Sequence, residues 1–185
     1  MGKRVYQLKV TIKQISPPVW RRVVVPEDIT LAGLHDVLQA ALGWWNCHLH
    51  EFEIDGTRYG TDDGEDWDAP KDERKAKLRT VAREGSSFSY VYDFGDYWQH
   101  RVVVEKVLPA AAGVTVPACT GGRRACPPED CGGPWGYKDF LETIADPDHE
   151  EHESMLEWAG GSFDPAAFDA GDFDQRLSLG RLATP

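Results

Sequence analysis

No apolar run in this 185-residue sequence approaches the roughly 20 residues that a membrane-crossing helix needs. The opening MGKRVYQLKV runs straight into alternating, strand-like sequence. It lacks the apolar stretch and small-residue cleavage site of a secretory leader. Gly2 begins no myristoylation signal, because Val5 and Tyr6 stand where a Ser or Thr is required. A cytoplasmic location is the expectation. Its four cysteines would then be thiols or metal ligands, not disulfides.

Positive charge is scarce as well. The chain has 20 Lys and Arg against 31 Asp and Glu, a formal net charge of −11. Much of nucleic-acid affinity comes from basic groups that neutralise phosphates, so a nucleic-acid partner is disfavoured. Only RVYQLKVTIK, Trp20–Arg22, KDERKAKLR and Gly121–Arg124 concentrate basic residues. A subsidiary nucleic-acid reading would rest on Arg21, Arg22, Arg123 and Arg124. Mainstream catalytic signatures are missing too. There is no P-loop, no dinucleotide glycine fingerprint after a strand, no Gly-x-Ser-x-Gly elbow and no Ser-x-x-Lys pair. Residues 149–152 read HEEH, not the HExxH of zinc proteases.

What is present is ordinary globular composition, 41% hydrophobic and 28% charged, which argues against a wholly disordered chain. The length suits one domain with a helical extension. Val5–Gln14 alternates polar and apolar residues and reads as a half-buried strand. Ser16-Pro17-Pro18 breaks it, and Val19–Val25 returns as the second strand of a hairpin. Thr30 then caps a helix whose Leu31, Leu34, Leu38, Ala41 and Leu42 recur at three- and four-residue spacing, with Gly43 as its stop. HLHEFEI is a further strand, and Asp55-Gly56 turns it back through Thr57–Tyr59. Residues 61–74 read as an acidic surface loop. Phe88–Asp93 and His100–Val107 flank FGDYW as another hairpin.

From Pro109 the character changes. Residues 109–136 form an irregular Cys-, Gly- and Pro-rich loop. Beyond it, Tyr137, Phe140, Leu141 and Ile144 share a helical face. A second helix follows, capped by Asp146 or Asp148 and stopped by Gly160-Gly161. Asp164-Pro165 would start a third through Phe168. The expected organisation is therefore one α+β domain, 1–176, with a sheet-and-helix core at 5–108, the loop at 109–136, a helical extension at 137–176 and a frayed tail at 177–185. Hairpin, helix, hairpin and a second hairpin is a β-grasp-like order with a mixed sheet.

Six blocks occur in the order of one family: PPVWRRV, TLAGLHDVLQAALGW, HLHEF, YVYDFGDYWQH, the Cys119–Tyr137 segment and DPDHEEHESMLEWAGG. On these the chain resembles the plasmid-borne family named after the third open reading frame of an Agrobacterium-type Ri plasmid, pRiA4b. The resemblance runs from about Tyr6 to Phe173. It implies association of some relatives with insertion sequences, and a resolvase-like label for a few of them. A serine recombinase, however, needs a nucleophilic Ser among clustered arginines and a DNA-binding module, and neither is legible here.

Three sets of residues carry possible chemistry. Cys119, Cys126 and Cys131 lie within thirteen residues and offer three of four tetrahedral zinc ligands, although C-x6-C and C-x4-C are not knuckle spacings. The bland alternative is small buried hydrophobes in a tight loop. Next, His48 and His50 would share one face of a strand. With Asp93, Asp96 and His100 they would form a zinc or manganese site for a metal-dependent, hydrolase-like enzyme. Against this, turn aspartates ordinarily bond their own backbone. Finally, Arg123, Arg124, Glu129, Asp130, Trp135 and Tyr137 form a candidate binding loop. Trp135 is the better surface aromatic, whereas Trp44 and Trp98 would lid the core. No catalytic set is complete. The expected function is therefore a non-enzymatic module that binds a protein or small ligand.

Overall fold

The computed structural model describes residues 3–61, 69–112 and 115–183. Among them, no helix is long and apolar enough to cross a membrane. The fold is α+β, with one eight-stranded mixed sheet.

The first hairpin comprises β1 (Arg4–Ile12) and β2 (Trp20–Pro26), antiparallel from Val5 opposite Pro26 to Thr11 opposite Trp20. Helix α1 (Leu31–Leu42) has the expected boundaries. The Thr30 hydroxyl accepts the Gly33 N–H at 3.1 Å, satisfying one amide that the first turn would leave unpaired. Gly43 ends the helix in the left-handed region at φ 83°, its N–H returning to the Gln39 carbonyl. Strands β3 (His50–Ile54) and β4 (Thr57–Gly60) turn through Asp55 and Gly56, both at positive φ as a tight primed turn requires.

The short β5 (Lys71–Asp72) runs parallel to β4 and makes the sheet mixed. It lies in the segment read as loop; residues 62–68 of that segment lie outside the described residues. After the single-turn α2 (Leu78–Val81), β6 (Ser87–Tyr92) and β7 (Trp98–Pro109) form the second expected hairpin. The strand order is β5-β4-β3-β6-β7-β1-β2-β8, where β8 is Ala118–Arg123. The β6–β7 hairpin thus occupies the middle of the sheet, between the first hairpin and β3–β4.

Alternation decides the core. Tyr6, Leu8, Val10 and Ile12 of β1, Phe88, Tyr90 and Tyr92 of β6, and Trp98, His100, Val102 and Val104 of β7 are buried, while most of their alternate neighbours are not. The hydrophobic members of this set join Leu31, Leu34, Val37 and Leu38 of α1 in one cluster. Burial of each such side chain stabilises by about 1.5–3 kcal/mol.

Three expectations are corrected in the C-terminal third. The segment expected as irregular from Pro109 contains β8, which pairs with β2. Its glycines, Gly121 and Gly122, hid the strand, because a strand signal rests on β-branched and aromatic residues. Asp164-Pro165 makes only a turn, with the Asp164 carboxylate accepting the Ala166 N–H. The chain beyond Arg176, expected to fray, continues to Ala183 within α5 (Phe173–Ala183), which packs on α1 with Phe173 and Leu177 buried. Between these segments, α3 (Gly133–Ala145) and α4 (His152–Trp158) pack on each other. Among the described residues no side chain caps α4; Asp146 instead accepts the Asp148 N–H.

Candidate functional site

Three segments meet at the end of the sheet where β3 begins and β6 ends: 44–49 between α1 and β3, the 93–97 turn of the β6–β7 hairpin, and 124–132 between β8 and α3. Backbone and side-chain bonds fix them together. The Asp93 N–H donates to the Leu49 carbonyl at 2.9 Å, joining the first two. The Gly132 N–H donates to Asp96 Oδ2 at 3.1 Å, joining the second and third. The Trp44 indole donates to the Pro127 carbonyl at 3.0 Å and the Trp45 N–H to Glu129 Oε2 at 3.1 Å, joining the first and third. Trp44 and Trp98 are buried as expected of core lids.

At this junction His48 stands among carboxylates. Its Nε2 lies 2.8 Å from Asp130 Oδ1, 3.7 Å from Asp93 Oδ2 and 4.0 Å from Glu129 Oε1. Asp93 sits at φ 56° and its other oxygen accepts the Gly95 N–H at 2.8 Å, the turn chemistry expected of it. Glu129 Oε1 also receives the Tyr92 hydroxyl at 2.6 Å and lies 3.5 Å from the Cys47 thiol. Tyr92 in turn accepts the Cys47 N–H at 3.1 Å. Burial, then the Glu129 carboxylate, hold the Tyr92 phenol well above its usual range. Burial raises the Cys47 thiol in the same sense.

Two overlapping groups have ligand atoms all within 4.8 Å of one another: Cys47, His48 and Glu129, and His48, Asp93 and Asp130. Of the residues singled out in the sequence, His48, Asp93, Glu129 and Asp130 therefore converge. Cys47 was not singled out, although it adjoins His48.

The others lie elsewhere. His50 does not share a strand face with His48, because β3 begins only at His50 and His48 lies in a bend. His50 bonds Glu73 at 2.8 Å and stacks on His35, with ring centroids 3.4 Å apart and planes 3° from parallel. His35 is buried and bonds the Tyr90 hydroxyl and Asn46 Oδ1 at 2.8 and 2.6 Å. Burial, and then the neighbouring His50, press its pKa down to about 3. His100 is fully buried between the Trp44 and Tyr90 rings. Its Nδ1 meets the Tyr90 carbonyl at 3.2 Å, and its Nε2 has no hydrogen-bond partner among the described residues. Burial lowers its pKa to about 4. Asp96 is engaged with Gly132.

Cys119, Cys126 and Cys131 do not gather into one ligand group among the described residues. All three pack against the core. Cys126 Sγ receives an N–H of Arg21 at 2.9 Å, and burial pushes the Cys126 and Cys131 thiols up to about 11 and about 12. Within the candidate binding loop, Trp135 is 76% exposed, as expected, but Tyr137 is buried in α3. Arg123 is exposed and Arg124 half-buried. Arg21 is buried, donating to the Ala41 and Trp20 carbonyls, and Arg22 is paired with Glu105 at 2.6 Å, so both guanidiniums have protein partners.

The surroundings of the cluster are apolar and exposed. Among the described residues, eight large hydrophobic side chains are exposed, and five of them, Trp45, Leu49, Phe94, Tyr97 and Trp135, lie on or directly beside the three converging segments. A groove of about 660 Å³ opens alongside, lined by Trp45, Glu129, Asp130, Arg21, Trp158 and Arg176.

The molecule is thus an α+β protein whose eight-stranded mixed sheet carries, at one end, a histidine–thiol–carboxylate cluster rimmed by aromatic side chains. It belongs to the family of plasmid pRiA4b ORF-3-like proteins, which matches residues 4–172. It is 48% identical over 170 residues to the uncharacterised protein y4hQ of Sinorhizobium fredii (strain NBRC 101917 / NGR234), covering 90% of this chain and 87% of that one. Its fold is similar to the crystal structure of MM3350, a protein of unknown function from Methanosarcina mazei Go1. The TM-score is 0.85 at 44% identity, over 93% of this chain and 98% of that chain.

Proposed function

We propose that this protein is a non-enzymatic interaction module, cytoplasmic and acting beside mobile elements, which captures a protein or small ligand on the face built by 44–49, 93–97 and 129–135. The observation that carries the reading is the concentration of exposed Trp45, Leu49, Phe94, Tyr97 and Trp135 there. Monomeric surfaces scatter such side chains singly, whereas clustered aromatics over a polar centre are how interfaces gain their affinity. The β-grasp-like character belongs to the same reading. It is the β1–β2–α1–β3–β4 run, with the β6–β7 hairpin inserted between its two halves.

The hydrolase-like reading retains His48 and Asp93, which converge. His50 is bound to Glu73, His100 lies in the core, and Asp96 holds the Gly132 amide. The nucleic-acid reading is left with Arg123 and Arg124.

A photo-crosslinking amino acid placed at Tyr97, and separately at Leu179 on α5, tests the module in living cells. A discrete crosslinked species from Tyr97 and none from Leu179 supports it. Absence of any species at Tyr97, or equal yield at both exposed positions, would sink it.

A further inference from the structure

Charge at the loop junction is unbalanced. Three carboxylates approach one imidazole nitrogen, and two of them, Asp93 and Glu129, are largely shielded, with side chains 11% and 14% exposed. Among the described residues, neither these two nor Asp130 has a Lys or Arg partner in an ion pair. Charge held away from water is costly unless it is compensated. A protonated His48 would compensate one of the three. A divalent cation supplies twice that charge from a single point.

The Cys47–Glu129 spacing serves a hydrogen bond or an ion equally, and the His48–Asp93 spacing suits an ion. Ligand atoms roughly 2.0–2.3 Å from a tetrahedral zinc lie about 3.3–3.8 Å from one another. Cys47 Sγ to Glu129 Oε1 is 3.5 Å and His48 Nε2 to Asp93 Oδ2 is 3.7 Å, with His48 Nε2 to Glu129 Oε1 at 4.0 Å. The two distances from the His48 nitrogen exceed hydrogen-bond length. An incoming ion replaces the Cys47–Glu129 hydrogen bond and must displace the short His48–Asp130 contact at 2.8 Å. The Asp130 side chain is 65% exposed and regains water when displaced.

We propose that Cys47, His48 and Glu129, whose ligand atoms lie within 4.8 Å of one another, bind one zinc ion; Asp93, grouped with His48 and Asp130 instead, turns in to offer the fourth ligand. The donor types select the metal. A thiolate, an imidazole and carboxylates suit zinc, whereas magnesium and calcium take oxygen ligands alone. Binding forms a zinc–sulfur bond and releases the Cys47 thiol proton to solvent. Glu129 is already oriented for the task, as its two oxygens accept the Tyr92 hydroxyl and the Trp45 amide. Outer partners of this kind orient ligands in metal sites. The ion would staple the α1–β3 segment to the β8–α3 segment, across 82 residues of chain. The assignment concerns the centre of the proposed binding face and not its occupant. Failure to bind zinc would leave capture of a partner through Tyr97 untouched.

Cobalt substitution decides the question with the metal alone. Metal-free protein titrated with Co²⁺ is expected to take up a single equivalent and develop a near-ultraviolet thiolate-to-cobalt band. Cys47→Ser abolishes the band and weakens zinc by at least about 100-fold in a chelator competition, while Cys131→Ser and Cys126→Ser retain both. Glu129→Gln weakens zinc without removing the band. Cys47 is exposed, so its substitution leaves folding intact, and circular dichroism checks this. No band in the wild type overturns the proposal. So does a band that survives Cys47→Ser and disappears with Cys126→Ser or Cys131→Ser.

Discussion

Acidification from pH 7 to pH 5 is expected to destabilise the protein by about 4 kcal/mol, through two histidines held neutral inside it. His35 and His100 are buried, with pKa values pressed down to about 3 and about 4. In the unfolded chain each takes up a proton near pH 6.5. Across the window between those values the unfolded state binds more protons than the folded one, so stability rises with pH. The contribution is present in full above pH 6.5. It declines as pH falls, until the folded-state pKa is reached at about 4 for His100 and about 3 for His35. Integrated from pH 7 to pH 5, each site loses about 1.4 pH units of linkage, or about 2 kcal/mol.

For a chain of this length the combined loss corresponds to a Tm lower by about 8–16 °C. Thermal melts followed by circular dichroism across the window measure it, and His100→Phe apportions it. Phe keeps the ring between Trp44 and Tyr90 and removes a buried Nε2 that has no partner among the described residues. The variant should therefore keep its fold and lose about half of the pH slope. All other histidines are common to both proteins, so the difference in slope isolates His100. Identical slopes for wild type and variant between pH 7 and pH 5 would refute the reasoning.

Two further expectations concern the scaffold. Glu105 is the bulged residue of β7 opposite Gln7 and Leu8, and it receives both Arg22 Nε and Nη2, at 2.6 and 2.9 Å. The Arg22 hydrogen bond holds its pKa down to about 2, so the pair stabilises fully above pH 4.5 and fades as pH falls toward 2. Because Arg22 is 32% exposed, Glu105→Gln should cost only about 1–2 kcal/mol in urea denaturation at pH 7. An unchanged midpoint would contradict that. Gly133→Ala places a Cβ 2.4 Å from the Asp96 carbonyl oxygen, at φ 70°. Neither backbone yields cheaply, so the variant should lose about 2–3 kcal/mol. Faster hydrogen exchange at the Gly132 amide would accompany the loss, whereas exchange unchanged there would oppose this account.

Local rules were legible where signal and structure have the same range. Thr30 and Gly43 delimit α1 because a cap acts within four residues of itself. Asp55-Gly56 identifies its turn because both residues tolerate positive φ. The hairpins of β1–β2 and β6–β7 follow from alternation. In WQHRVVVE, His100 shares a parity with Trp98, Val102 and Val104, which places it in the core and not in a metal site. The strand β8 and the helix α5 were missed because Gly121–Gly122 and the polar sequence after Arg176 give weak local signals. They are held by pairing with β2 and packing on α1.

The sequence by itself therefore determined the elements of the first two-thirds of the chain, most of their boundaries and which strand faces are buried. It also determined the family. Only the tertiary structure decided that His48 meets Glu129 and Asp130 from the far side of β8, that Cys47 joins them, and that His50 turns to Glu73 and His35. The reason is one of range. Capping, turn formation and amphipathic alternation act over a few residues, and each is written into those residues. Contacts across 82 positions depend on strand order, and strand order is set by how all the buried faces pack together.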